Sequence, residues 1–401
     1  MELFDVRKYV SEGKAFLSAY VGSSGFEQPQ EVFFAYPEKY FDYIPVSADA
    51  FFPAILIPAM LSGQQLDIKA PLSAKMRKNQ NTIQSVFTSW YPDDFKHIKI
   101  TAGEYIEDVP QKMKPNATFF SLGVDSTYSM LKHRPPHTFS PDKRVSCLVY
   151  MKGLELPLSV YSKGQDQAVI QDIHQVALHY DLDLIVGETN LRDVFPLVWE
   201  QYYSGPGLAA TALSLSLGFN NIYIPSSHSY ANLAPNPSSP LVDYLWSNEH
   251  VSIVHDGAET ERARKIANVI AHDAFALNNL RVCVNNEGGN HNCGRCWKCI
   301  RTMVTLKIIN RLNDASSFPH ELPAHFNREL RTYKTGSMKF TMENLRLARE
   351  YGDKEMEKIL LREIRIGKLD LFREGKSFRH LMAEMIYYTL IKAGRRLKMI
   401  S

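Results

Sequence analysis

Cysteine is scarce in this chain of 401 residues, which contains only five, and long apolar runs are missing. The opening segment, MELFDVRKYVSEGK, lacks the apolar core of a secretory signal, so we expect a cytoplasmic, reducing environment without disulfides. The best apolar stretch, residues 50–63, is too short to span a bilayer and holds two prolines, which argues against a membrane partner. The net charge of +3 leaves no dominant basic surface, which argues against nucleic acid as a partner.

The remaining composition is that of an ordinary globular protein, with 45% hydrophobic and 22% charged residues. Residues 1–115 carry no chemical signature and are predicted to form an accessory α/β domain. Residues 116–310 are predicted to form the main α/β domain, and residues 311–401 a helical C-terminal region. In that last region, helical periodicity predicts two helices within 341–364 and a third at 378–398.

The main domain alternates between apolar strands and helices. Strands are predicted at 117–122, 144–152, 182–188 and 221–227, with helical segments between them. Such alternation indicates a parallel sheet that helices cover on both faces. Ligands of these sheets bind at the carboxyl ends of the strands, so that edge is where we expect the site.

Four of the five cysteines lie within seventeen residues, in the run CVNNEGGNHNCGRCWKC: Cys283, Cys293, Cys296 and Cys299. The spacing C-x9-C-x2-C-x2-C predicts four thiolates around one zinc ion, with no open position and therefore a structural role. An iron–sulfur cluster is the main alternative, because C-x2-C-x2-C also occurs in such sites. The upstream fourth cysteine and the missing C-P pair favour zinc.

The second informative feature is the turn FFSLGVDST at 119–127, where a predicted strand ends and a helix begins. This geometry directs backbone N–H groups and the positive end of a helix at an anion. The hydroxyls of Ser121, Ser126 and Thr127 can donate to phosphate oxygens, while Asp125 suits Mg²⁺ or fixes the turn. The lysine of the common GK[ST] phosphate loop is missing. A simple helix N-cap after a strand is the alternative interpretation.

The run S-L-G-V-D-S resembles the SGGxDS signature of the PP-loop ATP pyrophosphatase family, with Leu122 in place of the first glycine and Gly123 retained. That leucine predicts a narrower phosphate cradle. Within this family, the 7-cyano-7-deazaguanine synthase branch has a C-terminal zinc loop with CG-x-C-x2-C, which NCGRCWKC resembles. The stretch GPGLAATALSLSLGFNNIYI is also similar, so the resemblance covers about 117–305.

The resemblance implies an adenine nucleotide alpha hydrolase-like (PP-loop) α/β fold. This is a doubly wound parallel sheet with a zinc loop, here with an N-terminal accessory domain and a C-terminal helical tail. It further implies adenylation of a carboxylate by ATP with Mg²⁺, release of pyrophosphate, and amide or nitrile formation with a nitrogen nucleophile. The implied ATP-binding residues are those of the turn and the end of the second strand: Ser121, Leu122, Gly123, Val124, Asp125, Ser126, Thr127 and Met151.

Asp125 and Ser126 are the catalytic candidates that the resemblance implies. Gly187, Ser226 and His228 follow the third and fourth predicted strands and are substrate-pocket candidates by topology alone. The expected substrate is a small carboxylate of the 7-deazapurine kind. However, the loop SSHSYANLAPNPSSPLVDY at 226–244 lacks the cysteine and arginine of the synthase branch, so the acceptor stays open.

Four further possibilities concern the partners and the chemistry. A protein acceptor or partner and a homo-oligomer are both compatible with the long terminal segments. A PP-loop sulfurtransferase acting on RNA would need a catalytic thiol and a basic face, whereas Cys147 lies in a predicted strand. A degenerate PP-loop domain that only binds its ligand is the non-enzymatic alternative, supported by Leu122 and opposed by the retained Asp125-Ser126-Thr127.

Overall fold

The computed structural model describes residues 1–103, 105–106, 113–138, 140–161, 167–283, 292–331 and 337–373. The strands in this part of the chain are β1 (Glu2–Ser11), β2 (Lys14–Gly22), β3 (Gln30–Pro37), β4 (Leu66–Ile68), β5 (Leu72–Ser73), β6 (Ile100–Ala102), β7 (Tyr105–Ile106), β8 (Asn116–Phe119), β9 (Val145–Lys152), β10 (Asp183–Thr189), β11 (Asn221–Pro225) and β12 (Ser252–Asp256).

The α-helices alternate with these strands in the middle of the chain and dominate after them. They are α1 (Phe51–Ser62), α2 (Ala74–Trp90), α3 (Val124–Lys132), α4 (Gln167–His179), α5 (Leu191–Val194), α6 (Ser204–Ser214), α7 (Arg262–Asn268), α8 (Ala274–Asn278), α9 (Trp297–Ile308), α10 (Ser337–Glu350) and α11 (Lys354–Arg373). In the described part of the chain, no helix combines the length and apolarity that a membrane span needs.

Ten strands form one sheet in the order β12-β11-β8-β9-β10-β3-β2-β1-β4-β6. The five strands from β12 to β10 are mutually parallel, as the alternation of strands and helices predicts. All four residues of β8 are buried, so this central strand is covered on both faces. The molecule is therefore a mixed α/β structure with a large, mostly parallel sheet, in agreement with the coarse fold prediction.

The N-terminal strands continue this same sheet. β3 pairs antiparallel with β10, with Phe34 opposite Thr189 and Ala35 opposite Glu188. By its contacts the chain divides into two compact units, Met1–Arg281 and Val282–Ser401. The predicted boundary after residue 115 thus falls inside the first unit, and the one after residue 310 inside the second. The three domains named from the sequence stay a prediction.

A buried carboxylate connects two segments of the first unit. Asp49 is 1% exposed, and its Oδ1 accepts from the backbone N–H of Ser73 at 2.8 Å. Its Oδ2 accepts from the amide of Asn248, also at 2.8 Å. Ser73 is in turn the N-cap of α2, accepting from the backbone N–H of Met76. Asp49 thereby holds the start of α2 against a loop about 200 residues later in the chain.

Replacing Asp49 by asparagine is expected to remove a pH-dependent part of the stability. Burial raises the pKa of Asp49 from 3.8 to about 6, so the folded state retains a proton that the unfolded chain releases. This stabilisation is fully present below the pKa that Asp49 has in the unfolded chain. It is lost as the pH rises through the pKa of Asp49 in the folded protein, and the free energy of unfolding then falls by about 3 kcal/mol. Urea unfolding between about pH 4 and 7 measures the difference between wild type and Asp49→Asn. A pH-independent difference would contradict the prediction, and the exposed Asp93→Asn is the control.

The second unit is helical in its described residues after the cysteine cluster. The Thr305 hydroxyl on α9 lies 2.7 Å from the Asn344 Oδ1 on α10, and the Asn344 amide donates to the Arg301 carbonyl at 3.1 Å. α10 ends at Glu350 and α11 begins at Lys354, with Gly352 between them at a φ of 73°. The two helices predicted within 341–364 are confirmed, whereas the predicted helix at 378–398 lies outside the described residues.

Candidate functional site: an anion-binding turn and a four-cysteine cluster

The turn between β8 and α3 lies at the carboxyl edge of the parallel strands. β8 ends at Phe119, Gly123 caps α3, and the helix begins at Val124, which is fully buried. The backbone N–H groups of the first helical turn therefore point to this edge of the sheet, where they favour a negative charge. The predicted order of strand, turn and helix is confirmed, although the strand ends at Phe119 and not at residue 122.

Leu122 adopts a left-handed conformation with a φ of 63°, which is rare for a residue with a branched side chain. Glycine adopts this conformation without steric cost, which explains why a glycine suits this place in an SGGxDS turn. The side chain of Leu122 is 1% exposed, and its carbonyl accepts from the backbone N–H of Arg281 at 2.9 Å. The leucine is thus accommodated by burial and does not protrude from the exposed surface of the turn.

The hydroxyl of Ser126 closes the turn. It accepts from the backbone N–H of Ser121 at 3.2 Å and donates to the Gly123 carbonyl at 3.1 Å. Ser126 and Thr127 are 6% and 3% exposed, whereas Ser121 is exposed. Of the three hydroxyls singled out in the sequence, Ser121 is therefore the accessible one, and Ser126 mainly fixes the shape of the turn.

The carboxylate of Asp125 is held by two cations from α7. Arg262 forms a close ion pair with its Oδ2, and the Lys265 Nζ lies 3.2 Å from its Oδ1. The Ser227 hydroxyl adds a hydrogen bond of 3.2 Å to Oδ2. Two positive charges thus face one negative charge beside a helix N-terminus, and this excess of positive charge suits an anion such as phosphate.

Both cations are unusually well buried for their residue types. The Lys265 side chain is 1% exposed, and its Nζ also donates to the Ser226 carbonyl at the end of β11. The Arg262 side chain is 10% exposed, and its Nε has no hydrogen-bond partner among the described residues. Charged side chains are almost never buried unless they are paired. The burial of both Arg262 and Lys265 therefore depends on their contacts with Asp125.

A tight turn after β12 brings Lys265 into position. Gly257 has a φ of 89°, and a Cβ at this residue would lie 3.2 Å from the Lys265 Nζ and 3.3 Å from the Tyr128 ring. The Lys265 Nζ lies 5.4 Å from the centre of that ring, within range of a cation–π contact. Glycine at this residue permits both the turn and the close approach of the lysine.

The sequence did not reveal Arg262 and Lys265 as site residues. They lie in the helical run ERARKIAN, whose charges are typical of a solvated helix face. The turn itself has no lysine of the GK[ST] kind, and the cations beside it come from a helix far along the chain. A basic pair three residues apart on a helix that follows a strand is the only local signal, and it is a weak one.

Two further candidate residues meet across β9 and β10. Met151 lies opposite Gly187, and a Cβ at Gly187 would come within 2.7 Å of the Met151 Sδ and 2.5 Å of the Tyr36 ring. Close packing alone therefore explains the glycine. Of the other candidates, Ser226 is 1% exposed and binds the backbone of His228 through its hydroxyl. The substrate roles of Gly187, Ser226 and His228 stay predictions.

Asp256, at the end of β12, belongs to a network that attaches α3 to the sheet. Its carboxylate accepts from the Ser129 hydroxyl, from the Lys132 Nζ at 2.8 Å and pairs with the His133 Nε2 at 3.0 Å. Burial alone would raise the pKa of Asp256, but the hydrogen bonds and charges of His133 and Lys132 outweigh it and hold the pKa well below its usual range. This network positions the helix that carries the turn.

In the second unit, the ligand atoms of the four clustered cysteines all lie within 4.8 Å of one another. The Cys299 Sγ lies 3.4 Å from the Cys296 Sγ and 3.9 Å from the Cys293 Sγ. A tetrahedral zinc with sulfur ligands at about 2.3 Å sets these separations at about 3.8 Å. The four side chains, Cys283 included, can therefore hold a metal ion such as zinc, as the spacing predicts.

The loop around Cys293 is shaped for a metal-binding sulfur. The backbone N–H groups of Arg295 and Cys296 donate to the Cys293 Sγ at 3.4 and 3.3 Å, a pattern that favours a thiolate. Gly294 has a φ of 68°, and a Cβ there would lie 2.5 Å from the Pro319 ring. Burial raises the pKa of Cys293, so a bound cation is what would make this thiol ionise readily.

One of the basic residues beside the cysteines is not a solvated surface charge. Arg301 is 8% exposed, and its guanidinium lies 4.6 Å from the Trp297 ring and 4.0 Å from the Phe340 ring. Its role is to pack α9 against α10.

Comparisons with protein-family models, with curated proteins and with solved structures find no match for this chain. The class of protein is therefore defined by its structure. It is a mixed α/β protein with a mostly parallel sheet, a glycine-capped turn with two buried cations at the carboxyl edge of that sheet, and a four-cysteine cluster able to hold a metal ion.

Proposed function

We propose that this protein is an ATP-dependent ligase of the PP-loop type. It adenylates a carboxylate of the 7-deazapurine kind with release of pyrophosphate and then forms an amide or nitrile with a nitrogen nucleophile. The observation that carries the proposal is the convergence of Arg262 and Lys265 on Asp125 at the N-terminus of α3. The proposal rests also on the resemblance of the runs SLGVDS and NCGRCWKC to the synthase branch of the PP-loop family.

The residues of the turn supply charge neutralisation and positioning, which are the main tasks in breaking a phosphoanhydride. The helix N-terminus and the Ser121 hydroxyl bind phosphate oxygens. Arg262 and Lys265 neutralise the charge that develops on the leaving pyrophosphate, and Asp125 keeps both cations in place before the nucleotide arrives. The substrate carboxylate attacks the α-phosphorus, the bond to the β-phosphate oxygen breaks, and an acyl-adenylate forms.

The fit of Mg²⁺ to this site is limited. The carboxylate of Asp125 is already engaged by two cations and a hydroxyl, so its surroundings suit an anion better than a metal ion. No step is therefore assigned to Mg²⁺, and its use stays a prediction. Zinc in the four-cysteine cluster is proposed as a structural ion, since four sulfurs leave no coordination position for a substrate.

The sulfur-transfer alternative finds little support in the fifth cysteine. Cys147 lies on β9 and is 3% exposed, and burial raises the pKa of its thiol. A catalytic thiol needs access and a thiolate, and Cys147 has neither.

The substitution Asp125→Asn tests the proposed reaction. We expect wild-type protein to release AMP and pyrophosphate from ATP when 7-carboxy-7-deazaguanine is added, and the variant to lose about 10²–10³-fold of this activity, because the cations are no longer held at the turn. Chromatographic detection of AMP and a coupled pyrophosphate assay measure both products. The exposed Asp67→Asn on β4 should keep the full rate. ATP binding without cleavage in the wild type would favour a binding module and contradict the ligase proposal.

A further inference from the structure

A buried aspartate–histidine pair lies at β12, the end strand of the sheet, which is two strands away from β8. The Nδ1 of His255, on β12, is 2.7 Å from the Oδ2 of Asp243. Both side chains are buried, at 5% and 0% exposure. His255 is aligned with Ile224 on β11, one residue before the end of each strand. The pair therefore lies near the carboxyl edge of the sheet, close in the chain to Asp256 and Ser226.

The partners of Asp243 determine which nitrogen of His255 carries the proton. The carboxylate also accepts from the Ser238 hydroxyl at 2.9 Å and from the backbone N–H of Ser239 at 3.2 Å. Because both oxygens of Asp243 accept hydrogen bonds from these donors, we take the His255 Nδ1 as the donor in their contact. In the neutral ring the Nε2 is then an acceptor.

That acceptor is buried and has no partner among the described residues. Buried polar atoms are nearly always hydrogen-bonded, and each exception calls for a ligand, a water or a functional role. An imidazole whose Nδ1 is fixed by a carboxylate and whose Nε2 is free is the arrangement of a general base.

The backbone at Pro237 and Ser238, shortly before Asp243, packs directly against a glycine of α6. A Cβ at Gly205, in the first turn of α6, would lie 1.9 Å from the Pro237 carbonyl oxygen and 2.9 Å from the Ser238 Cα. Any other residue would push this backbone away, and with it the Ser238 hydroxyl that binds Asp243. Gly205 thus allows the close approach of the backbone whose Ser238 hydroxyl binds Asp243.

We propose that Asp243 and His255 form the acceptor side of the site, where the His255 Nε2 binds and deprotonates the nitrogen nucleophile. This inference rests on the proposed ligase function. The nitrogen lone pair attacks the acyl carbon of the adenylate, the bond from that carbon to the phosphate oxygen breaks, and AMP leaves. The proton from nitrogen passes to Nε2, and Asp243 stabilises the resulting imidazolium. His255 is the catalytic residue of this step and Asp243 its positioning residue.

The first measurement is the tautomer of His255 in the full chain. Nitrogen-15 NMR of histidine-labelled wild-type protein should show a neutral ring with the proton on Nδ1, and the signal should be absent from His255→Asn. Asparagine keeps an N–H near the place of Nδ1 and lacks the far nitrogen, so the contact with Asp243 can be retained. A proton on Nε2 would overturn the proposal, because that nitrogen could not accept one.

The second measurement separates the two half-reactions, with 7-carboxy-7-deazaguanine as the acid and ammonia, supplied as an ammonium salt, as the nucleophile. For His255→Asn we expect exchange of pyrophosphate into ATP at the wild-type rate, with ammonium-dependent product formation reduced about 10²–10⁴-fold. Hydroxylamine, which needs no base, should restore product formation. The exposed His174→Asn on α4 is the matched control and should match the wild type in both assays.

The outcomes distinguish the two proposals. Wild-type product formation in His255→Asn, or an equal loss of exchange and product formation, would overturn the role of the pair while leaving the ligase function intact. Absence of exchange in the wild type would instead overturn the ligase function, and with it the step assigned to His255.

Discussion

Replacing Cys299 by serine is expected to abolish metal binding and to unfold the described helical part of the second unit. Cys299 is fully buried in the first turn of α9, with two neighbouring sulfurs at 3.4 and 3.9 Å. A serine hydroxyl is a far weaker ligand for zinc than a thiolate. Structural zinc contributes about 10–16 kcal/mol of binding free energy in small domains, so losing one of four ligands removes a large share of the folding energy.

Elemental analysis and thermal unfolding followed by circular dichroism measure this effect on the full chain. One zinc per wild-type chain, none in Cys299→Ser, and a lower unfolding temperature are the expected results. The fifth cysteine supplies the matched control, since Cys147→Ser should retain one zinc per chain. Undiminished zinc in Cys299→Ser would show that the cluster is not the binding site. Iron together with sulfide in the wild type would show that the cysteines hold an iron–sulfur cluster and not zinc.

Removing both cations of the turn is expected to abolish ATP cleavage. The double variant Arg262→Gln/Lys265→Met leaves the Asp125 carboxylate at the N-terminus of α3 without these two cations, and its negative charge then repels phosphate. Loss of cations that stabilise a phosphoryl-transfer transition state costs about 10³–10⁵-fold in rate. Steady-state release of pyrophosphate gives this factor, and nucleotide titration by calorimetry shows how much of the loss is in binding.

Arg264→Gln offers a matched control for this experiment, because it removes a positive charge from the same helix while both cations that hold Asp125 stay in place. We expect it to retain most of the activity. The single variants Arg262→Gln and Lys265→Met each keep one cation beside Asp125. Their unfolding temperatures show whether the fold tolerates each substitution. An active double variant would contradict the assignment of the turn to phosphate binding.

The cysteine cluster shows how much local sequence can predict. A C-x2-C-x2-C run with a fourth cysteine ten residues upstream brings the sulfurs together mainly through short-range chain geometry, and the structure places all four ligand atoms within 4.8 Å. The turn at 119–127 is similar, because the strand, the capping glycine and the helix are neighbours in sequence. Only the conformation of Leu122 was unexpected, and its burial against the rest of the unit accounts for it.

Contacts between segments that are distant in sequence could not be predicted from local sequence patterns. The pairing of β3 with β10 joins residues about 150 positions apart, and nothing in EVFFAYP marks it as a neighbour of a parallel strand. The apolar pattern of a strand predicts that it pairs, but the identity of its partner depends on how the whole chain folds.

The sequence by itself therefore determined the elements whose cause is local: the apolar strands, the strand-to-helix turn at 119–127, the helix pair around Gly352 and the clustered thiols. Tertiary structure alone decided which charges meet. Arg262 and Lys265 look like surface residues of a helix, and Asp243 and His255 look like ordinary loop and strand residues. Each becomes a candidate site residue only because folding buries it beside a polar or charged partner, where an unpaired group would be costly.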